Sequence, residues 1–232
     1  MSDAAFPESL TRGYESFLGH RFSAEQQRFR GLAEGGQKPQ VMLIGCCDSR
    51  VSPEVIFDAG PGEIFVVRNV ANLVPPYLPN DDLHGTSAAL EFGVMGLRVA
   101  HVVVMGHASC GGIKSYVETE ADPYLRPLSP GDFIGKWMSL IAPAFATLGA
   151  KRPDETLAAY ADRLGHLAVI QSLANLRSFP CVETLEKKGR LHLHGAFFGI
   201  ADGRLQVLDE ATGNFHPVAE AAFNAVSAQP RF

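Results

Sequence analysis

Val41-Met42-Leu43-Ile44-Gly45 is a short, continuous apolar run that passes directly into Cys46-Cys47-Asp48-Ser49-Arg50. Such a run is typical of a β-strand that is buried on both faces. Further β-rich runs and helical patterns alternate with it along the chain. Strands that alternate with helices predict an α/β fold with a mostly parallel central β-sheet flanked by helices. The β-rich runs cover residues 63–68, 99–105 and 190–200, and the helical patterns cover 8–31, 86–97, 133–148 and 155–177, with a short one after Pro180.

Composition and charge exclude several classes of function. The net charge of −5 and the lack of a basic patch argue against a nucleic-acid partner. There is no apolar run of about 18 residues, and the N-terminus lacks a signal pattern, so we expect no membrane span. Four cysteines among 232 residues, without a secretion signal, indicate a reducing compartment and thiol or metal chemistry. The sequence therefore predicts a soluble, cytoplasmic protein.

Three candidate metal ligands follow two of the predicted strands. Cys46 comes directly after the first strand, and His107 and Cys110 lie in Gly106-His107-Ala108-Ser109-Cys110-Gly111-Gly112, after the third. In open α/β sheets, sites form beyond the carboxyl ends of the strands. One imidazole and two thiolates suit tetrahedral Zn²⁺, and three protein ligands leave one position for a reacting water. Either motif alone is a weak signal, but together they predict a catalytic zinc site.

Asp48 and Arg50 are the candidate catalytic residues beside this zinc. If the strand conformation continues past Gly45, then Cys46, Asp48 and Arg50 point to one side, because alternate residues share a face. Arg50 can hold Asp48 ionised through charge-assisted hydrogen bonds. Asp48 can then accept a hydrogen bond from zinc-bound hydroxide, or swing onto the metal as a fourth ligand. The backbone is bare, and open to an anionic product, at Gly111 and Gly112.

The two motifs together resemble the signature pair of the β-class carbonic anhydrases. The resemblance runs from about Gln37 to Asp202, and the stretch from Phe65 to Tyr77 is especially similar to the plant-type branch. It implies reversible hydration of CO₂ to bicarbonate and a proton by zinc-bound hydroxide, with one Zn²⁺ in each subunit. It also implies that Asp48 and Arg50 form the orienting pair and that the zinc is held by Cys46, His107 and Cys110.

The same resemblance implies a CO₂ pocket that is partly donated by a neighbouring subunit. Phe92 stands where the plant enzymes usually carry tyrosine. One branch of the family has an inhibitory bicarbonate site built from Trp, Arg and Tyr; this chain keeps Arg68 but has Leu43 and Phe198 at the other two positions. We therefore expect that site to be absent and the zinc to be open to water. The expected pocket residues are Gln37, Phe65, Val70 and Phe92.

Family members are dimers or larger assemblies of dimers, which implies a homodimer or higher homo-oligomer here. The amphipathic N-terminal helix is expected to be an arm, residues 1–36, that packs on the dimer partner. Residues 37–232 are expected to form a single α/β zinc-binding catalytic domain.

Alternatives to CO₂ hydration stay open at this stage. The same fold and ligands would suit a hydrolase of carbon disulfide or carbonyl sulfide, and a silent zinc scaffold or a thiol redox sensor would need no substrate. Cys47 is expected to be buried, because the strand alternation places it opposite Cys46. His192 and His194 are two apart in a strand, but no third donor is evident nearby, so we interpret them as structural.

Overall fold

The computed structural model describes residues 6–80, 83–122, 124–125, 133–221 and 224. Its strands are β1 (Val41–Cys46), β2 (Ile64–Asn69), β3 (His101–His107), β4 (His192–Phe198), β5 (Leu205–Asp209) and β6 (Asn214–Pro217). They form one sheet in the order β2-β1-β3-β4-β5-β6. The first four strands in this order are parallel, and β5 and β6 continue the sheet antiparallel. The predicted α/β fold with a mostly parallel sheet is confirmed.

Helices connect the parallel strands, as the alternating pattern predicts. A π-helical turn, Leu18–Phe22, joins the first two helices, and another, Phe92–Leu97, extends the fourth. No helix among the described residues is both long and apolar enough to cross a membrane. The helices are α1 (Glu8–Phe17), α2 (Ser23–Gly35), α3 (Pro53–Ile56), α4 (Gly85–Glu91), α5 (Gly111–Ala121), α6 (Phe133–Met138), α7 (Ala142–Leu148), α8 (Leu157–Arg177) and α9 (Pro180–Lys187).

Several boundaries differ from the sequence pattern. The third strand is predicted over 99–105, but it begins at His101, opposite Val41 of β1, and extends to His107, which pairs with Phe198 of β4. The candidate ligand His107 is therefore the last residue of β3 and not part of the following loop. The hairpin of β5 and β6 is absent from the predicted elements, because these strands are short and none of their residues is buried, which leaves a weak apolar pattern.

Helix α8 packs across one face of the sheet and forms the centre of the main core. Its buried side chains recur three or four positions apart, as on a helix with one apolar face. A Cβ atom added at Gly106 of β3 would lie 2.9 Å from Val169 Cγ2, so the close approach of helix and strand requires glycine there. The core residues from these elements are Met42, Ile44, Val102, Val104, Val169, Leu173 and Leu176.

The N-terminal helices lie on the outside of the chain. No residue of α1 or α2 is buried, and α1 exposes the apolar side chains of Leu10 and Tyr14. Helix α2 is attached to the rest of the chain through Arg28, which donates to the Pro61 carbonyl (3.1 Å) and to Glu63 (2.7 Å). The expected arm, residues 1–36, therefore has an exposed apolar face along α1; its first five residues lie outside the described part.

Candidate metal centre

The three predicted ligands converge at the carboxyl ends of two neighbouring strands. Cys46 ends β1 and His107 ends β3, and because these strands are parallel and paired, their ends meet. Cys110 directly precedes α5. All three residues are buried, and their donor atoms lie within 4.8 Å of one another, with 4.0 Å between the two sulfurs. Two thiolates bound tetrahedrally at about 2.3 Å would be about 3.8 Å apart, so the spacing fits Zn²⁺.

His107 offers a free lone pair to this cluster. Its Nδ1 lies 2.9 Å from the Ala108 carbonyl oxygen, which can only accept, so Nδ1 carries the proton and Nε2 does not. Nε2 is buried and has no hydrogen-bond partner among the residues that the structure describes. A buried acceptor left without a donor is costly, and a cation held by Nε2 and the two sulfurs would remove that cost.

Backbone amides and a shared proton stabilise negative charge on the sulfurs. The pKa of the Cys46 thiol is lowered to about 4, mainly because Cys110 donates a hydrogen bond to it; the nearby His107 ring and the amides of Asp48 and Ala71 also contribute. The same contact, together with burial, raises the pKa of Cys110. In His107, burial opposes protonation, but the nearby Cys46 sulfur and the Ala108 carbonyl outweigh it and raise the pKa. The cluster holds one thiolate readily and two only when a cation offsets the charge.

Asp48 and Arg50 meet beside this cluster, although the strand ends at Cys46. A turn brings Arg50 back to Asp48: its Nε and Nη2 donate to the two carboxylate oxygens at 2.9 and 2.7 Å, and its backbone N–H donates to Oδ1 at 3.0 Å. These contacts hold the pKa of Asp48 well below its usual range. Asp48 Oδ2 lies 4.0 Å from His107 Nε2. An ionised carboxylate therefore stands next to the candidate metal position.

The loop between His107 and Cys110 is fixed at Ser109, which the sequence pattern does not identify. Ser109 has a left-handed backbone, with φ of 57°. Its N–H donates to Asp162 Oδ1 of α8 at 2.8 Å, and its carbonyl accepts from Arg50 Nη2 at 3.2 Å. Asp162 is 53 residues away, so no local pattern marks it. We interpret Asp162 as a positioning residue for the ligand loop.

Replacing Asp162 with alanine should weaken zinc binding by about 10–100-fold, because removal of a group that orients a metal ligand typically costs that much. Asp162→Asn keeps an acceptor oxygen and should retain most of the affinity. Competition with a chelator of known affinity measures both. Equal affinity of the alanine variant and the wild type would show that Ser109 holds its conformation without Asp162.

Arg68 is a second residue whose part in the site comes from tertiary contacts. Its Nε donates to the Cys46 carbonyl at 2.8 Å and its Nη2 to the Asp48 carbonyl at 2.6 Å. It thereby fixes the backbone on both sides of Cys47.

Cys47 is expected to be buried, and this prediction is wrong: the chain leaves the strand after Cys46, so Cys47 is exposed.

Val70, Gly111 and Gly112 line a cavity of about 520 Å³ beside the centre. A Cβ atom at Gly112 would lie 3.0 Å from Val70 Cγ1, so glycine keeps this side open. The Gly112 amide helps to offset negative charge on the Cys110 sulfur. Binding of an anionic product at Gly111 and Gly112 stays a prediction.

Gln37, Phe65 and Phe92 lie toward the other end of the sheet. Phe65 pairs with Met42, four residues before Cys46 along β1, which corresponds to about 13 Å. The Phe92 ring is 5.9 Å from the Phe65 ring and 54% exposed. Gln37 is exposed and precedes the start of β1. The structure therefore does not bring these three predicted pocket residues to the centre of their own chain.

Comparison with known proteins agrees with this geometry. The family model described as carbonic anhydrase matches residues 41–205. A carbonic anhydrase of Pseudomonas aeruginosa is 36% identical over 219 residues, covering 94% of this chain and 95% of that protein. The chloroplastic beta carbonic anhydrase 5 of Arabidopsis thaliana is 30% identical over 195 residues, which cover 84% of this chain and 62% of that protein's length.

Solved structures give the same answer. The Coccomyxa beta-carbonic anhydrase, solved in complex with acetazolamide, is 27% identical, with a TM-score of 0.74 and coverage of 97% of this chain and 100% of that one. A beta-carbonic anhydrase of Sordaria macrospora, from a study of two tetrameric enzymes, is 28% identical, with a TM-score of 0.71 and coverage of 86% and 95%. The family predicted from the two motifs is thus confirmed, and the chain belongs to the β-carbonic anhydrases.

Proposed function

We propose that this protein catalyses the reversible hydration of CO₂ to bicarbonate and a proton, with one Zn²⁺ held by Cys46, His107 and Cys110. The observation that carries the proposal is the buried His107 Nε2, which has no hydrogen-bond partner in the described part of the chain and lies next to two sulfurs and within 4.0 Å of the ionised Asp48. When bound, zinc supplies Lewis-acid chemistry that makes a water molecule acidic enough to react near neutral pH.

Asp48 and Arg50 orient the attacking water in this proposal. An ionised carboxylate can only accept hydrogen bonds, so Asp48 directs the O–H of the water toward itself and leaves an oxygen lone pair for CO₂. Arg50 engages both carboxylate oxygens and keeps Asp48 from turning toward the metal. This pairing supports a centre that is open to water, in line with the expected absence of the inhibitory bicarbonate site.

The CO₂ pocket is proposed to form between two subunits. Val70 contributes from the same chain, and a second copy contributes Gln37, Phe65 and Phe92, which lie away from the centre of their own chain. The exposure of Phe92 together with Met95, three positions later on the same helical turn, supports this arrangement, because adjacent exposed apolar side chains form a patch of the kind that marks an interface. CO₂ has no strong hydrogen-bonding group, so an apolar pocket binds it weakly and releases bicarbonate.

We further propose that residues 1–36 are the arm that packs on the partner and that residues 37–232 form one catalytic domain in a homodimer or an assembly of dimers. The exposed apolar face of α1 supports this. Four free cysteines fit a reducing compartment, so we propose a cytoplasmic location.

Charging the apolar face of α1 should dissociate the assembly. In the Leu10→Glu, Tyr14→Glu double variant, two buried charges would oppose docking, and we expect dimer affinity to fall by more than about 100-fold. Sedimentation velocity over a concentration series measures it. The control is Ser9→Glu, Ser16→Glu on the opposite helix face. If both variants dissociate equally, or if neither dissociates, the apolar face of α1 does not pack on the partner.

Zinc affinity should fall steeply as the pH is lowered. Cys46 is already ionised near neutral pH, whereas Cys110 has a raised pKa and must lose its proton to bind the metal. His107 also has a raised pKa, so Nε2 takes up a competing proton as the pH falls through that pKa. Two competing protons weaken binding by about 100-fold per pH unit below those pKa values. Chelator competition at several pH values near neutrality measures the slope, and a flat profile would contradict the ligand assignment.

Stopped-flow CO₂ hydration by the zinc-loaded protein tests the proposed function. We expect activity that is lost with a chelator and restored with zinc. If the protein hydrolyses carbon disulfide but does not hydrate CO₂, then carbon disulfide is the substrate. Activity toward neither substrate in protein with full zinc content would favour a silent scaffold.

A further inference from the structure

Three histidines lie together on one face of the sheet, at the end opposite to the candidate metal centre. His101 starts β3 and His192 starts β4, and the two are register partners, so their side chains project to the same face. His194 follows two residues later on β4 and therefore shares that face. The sequence pattern shows only the pair on β4; the tertiary structure supplies His101 from the neighbouring strand as a third imidazole.

One nitrogen from each of two rings is already close enough for both to bind the same metal ion. His101 Nδ1 and His194 Nε2 are 3.1 Å apart. Two nitrogens bound at about 2.0–2.1 Å to a tetrahedral metal are about 3.3 Å apart, so a cation could replace the single proton that these atoms can share. His192 stacks against His101, with 5.3 Å between ring centroids, and is exposed. To complete a site between these two nitrogens, His192 would have to rotate its side chain toward them.

We propose that His101 and His194, completed by His192, form a second metal site that takes a borderline divalent cation such as Zn²⁺ or Ni²⁺. Imidazole nitrogens favour these ions over Mg²⁺ or Ca²⁺, which need oxygen ligands. Unlike the cysteine-containing centre, this site has no thiolate.

The surroundings support a cation at this place. Burial and the neighbouring imidazoles lower the pKa of His194, so its ring is neutral and keeps a lone pair near pH 7. Glu210, whose charge acts on His194, supplies a nearby negative charge and pairs with Arg177 at 2.8 Å. His101 and His194 are only half-buried, so a hydrated ion has access from solvent.

A cation here would join the amino ends of β3 and β4. Such a link stabilises the folded chain by an amount that rises with the logarithm of the free metal concentration above Kd, because the unfolded chain does not hold the three rings together. The candidate catalytic ligand on β3, His107, lies at the far end of the same strand, so the second site would leave the reaction unchanged.

Isothermal titration of protein already loaded with one Zn²⁺ per chain tests the site. We expect a second equivalent of Zn²⁺ to bind near pH 7.5, together with a rise in the thermal midpoint. His101→Asn and His194→Gln should each weaken this equivalent by at least about 100-fold, since even an outer partner of a metal ligand is worth about 10–100-fold. Both variants should keep the first zinc and full hydration activity. His20→Gln, an exposed histidine on the N-terminal arm, is the control.

Two results would overturn the proposal: wild-type protein that takes up only one zinc, or a second equivalent that persists in the His101→Asn, His194→Gln double variant. If a variant fails to fold, the number of zinc ions bound by the wild-type protein still tests the proposal. Substoichiometric Ni²⁺ added to the zinc-loaded protein should broaden the ring NMR signals of His101 and His194 before those of His20. Uniform broadening would contradict the site.

Discussion

Replacing Asp48 with asparagine should lower kcat/KM for CO₂ hydration by about 10²–10⁴-fold, the range typical of a lost proton-handling group, while zinc content stays at one per chain. Asparagine keeps the size of the side chain but removes its charge. It therefore loses the paired contact with Arg50, whose Nε and Nη2 now bind two carboxylate oxygens. Its amide can also donate, so it no longer forces the water to donate toward it. Stopped-flow assays with metal analysis measure both quantities.

Asp202→Asn is the matched control for this experiment. Asp202 also accepts a backbone N–H from the residue two positions later, at 3.0 Å, but in an exposed loop after β4. The Asp202→Asn variant should have the kcat/KM of the wild type. If Asp48→Asn also retains wild-type kcat/KM, Asp48 does not orient the water. A loss of zinc in Asp48→Asn would instead make Asp48 part of the metal site.

Replacing Cys46 with alanine should abolish both zinc binding and hydration. The change removes one of three donors at a buried point, and we expect less than about a tenth of an equivalent of zinc to remain after dialysis. Without the metal, water keeps its pKa of about 15.7, so kcat/KM should fall by at least about 10³-fold. Elemental analysis and stopped-flow hydration are the measurements.

Cys47→Ala is the matched control for the cysteine experiment, because Cys47 is the adjacent cysteine and is exposed. It should keep full zinc content and activity. Loss of zinc in Cys47→Ala with retention in Cys46→Ala would mean that the two sulfurs exchange roles. If zinc-free Cys46→Ala still hydrates CO₂, the metal takes no part in catalysis.

The strand pattern and the two motifs predict most of the fold and the family correctly. An apolar run bounded by glycine is a local signal, and β1 covers Val41–Cys46 as that signal indicates. The hairpin of β5 and β6 carries no comparable signal, because its residues stay partly exposed. Its place in the sheet depends on pairing with β4, which is a tertiary contact.

The candidate ligands could be named from the sequence because their chemistry is intrinsic to them. Cysteine and histidine side chains carry the donor atoms that zinc prefers, and parallel strands bring their carboxyl ends to one edge. The groups that hold the ligands in place could not be named. Asp162 reaches Ser109 from a helix 53 residues away, and Arg68 reaches the Cys46 carbonyl from the neighbouring strand. Both contacts depend on how the elements pack.

The residues alone therefore determined the kind of fold, the candidate donor set and the family, because hydrophobic periodicity and ligand chemistry are local properties. Only the tertiary structure decided that Cys47 faces outward, that Phe65 and Phe92 lie away from their own centre, and that His101 meets the histidines of β4. These outcomes depend on where a strand ends and on the register between strands, and register is set by the packing of the whole sheet.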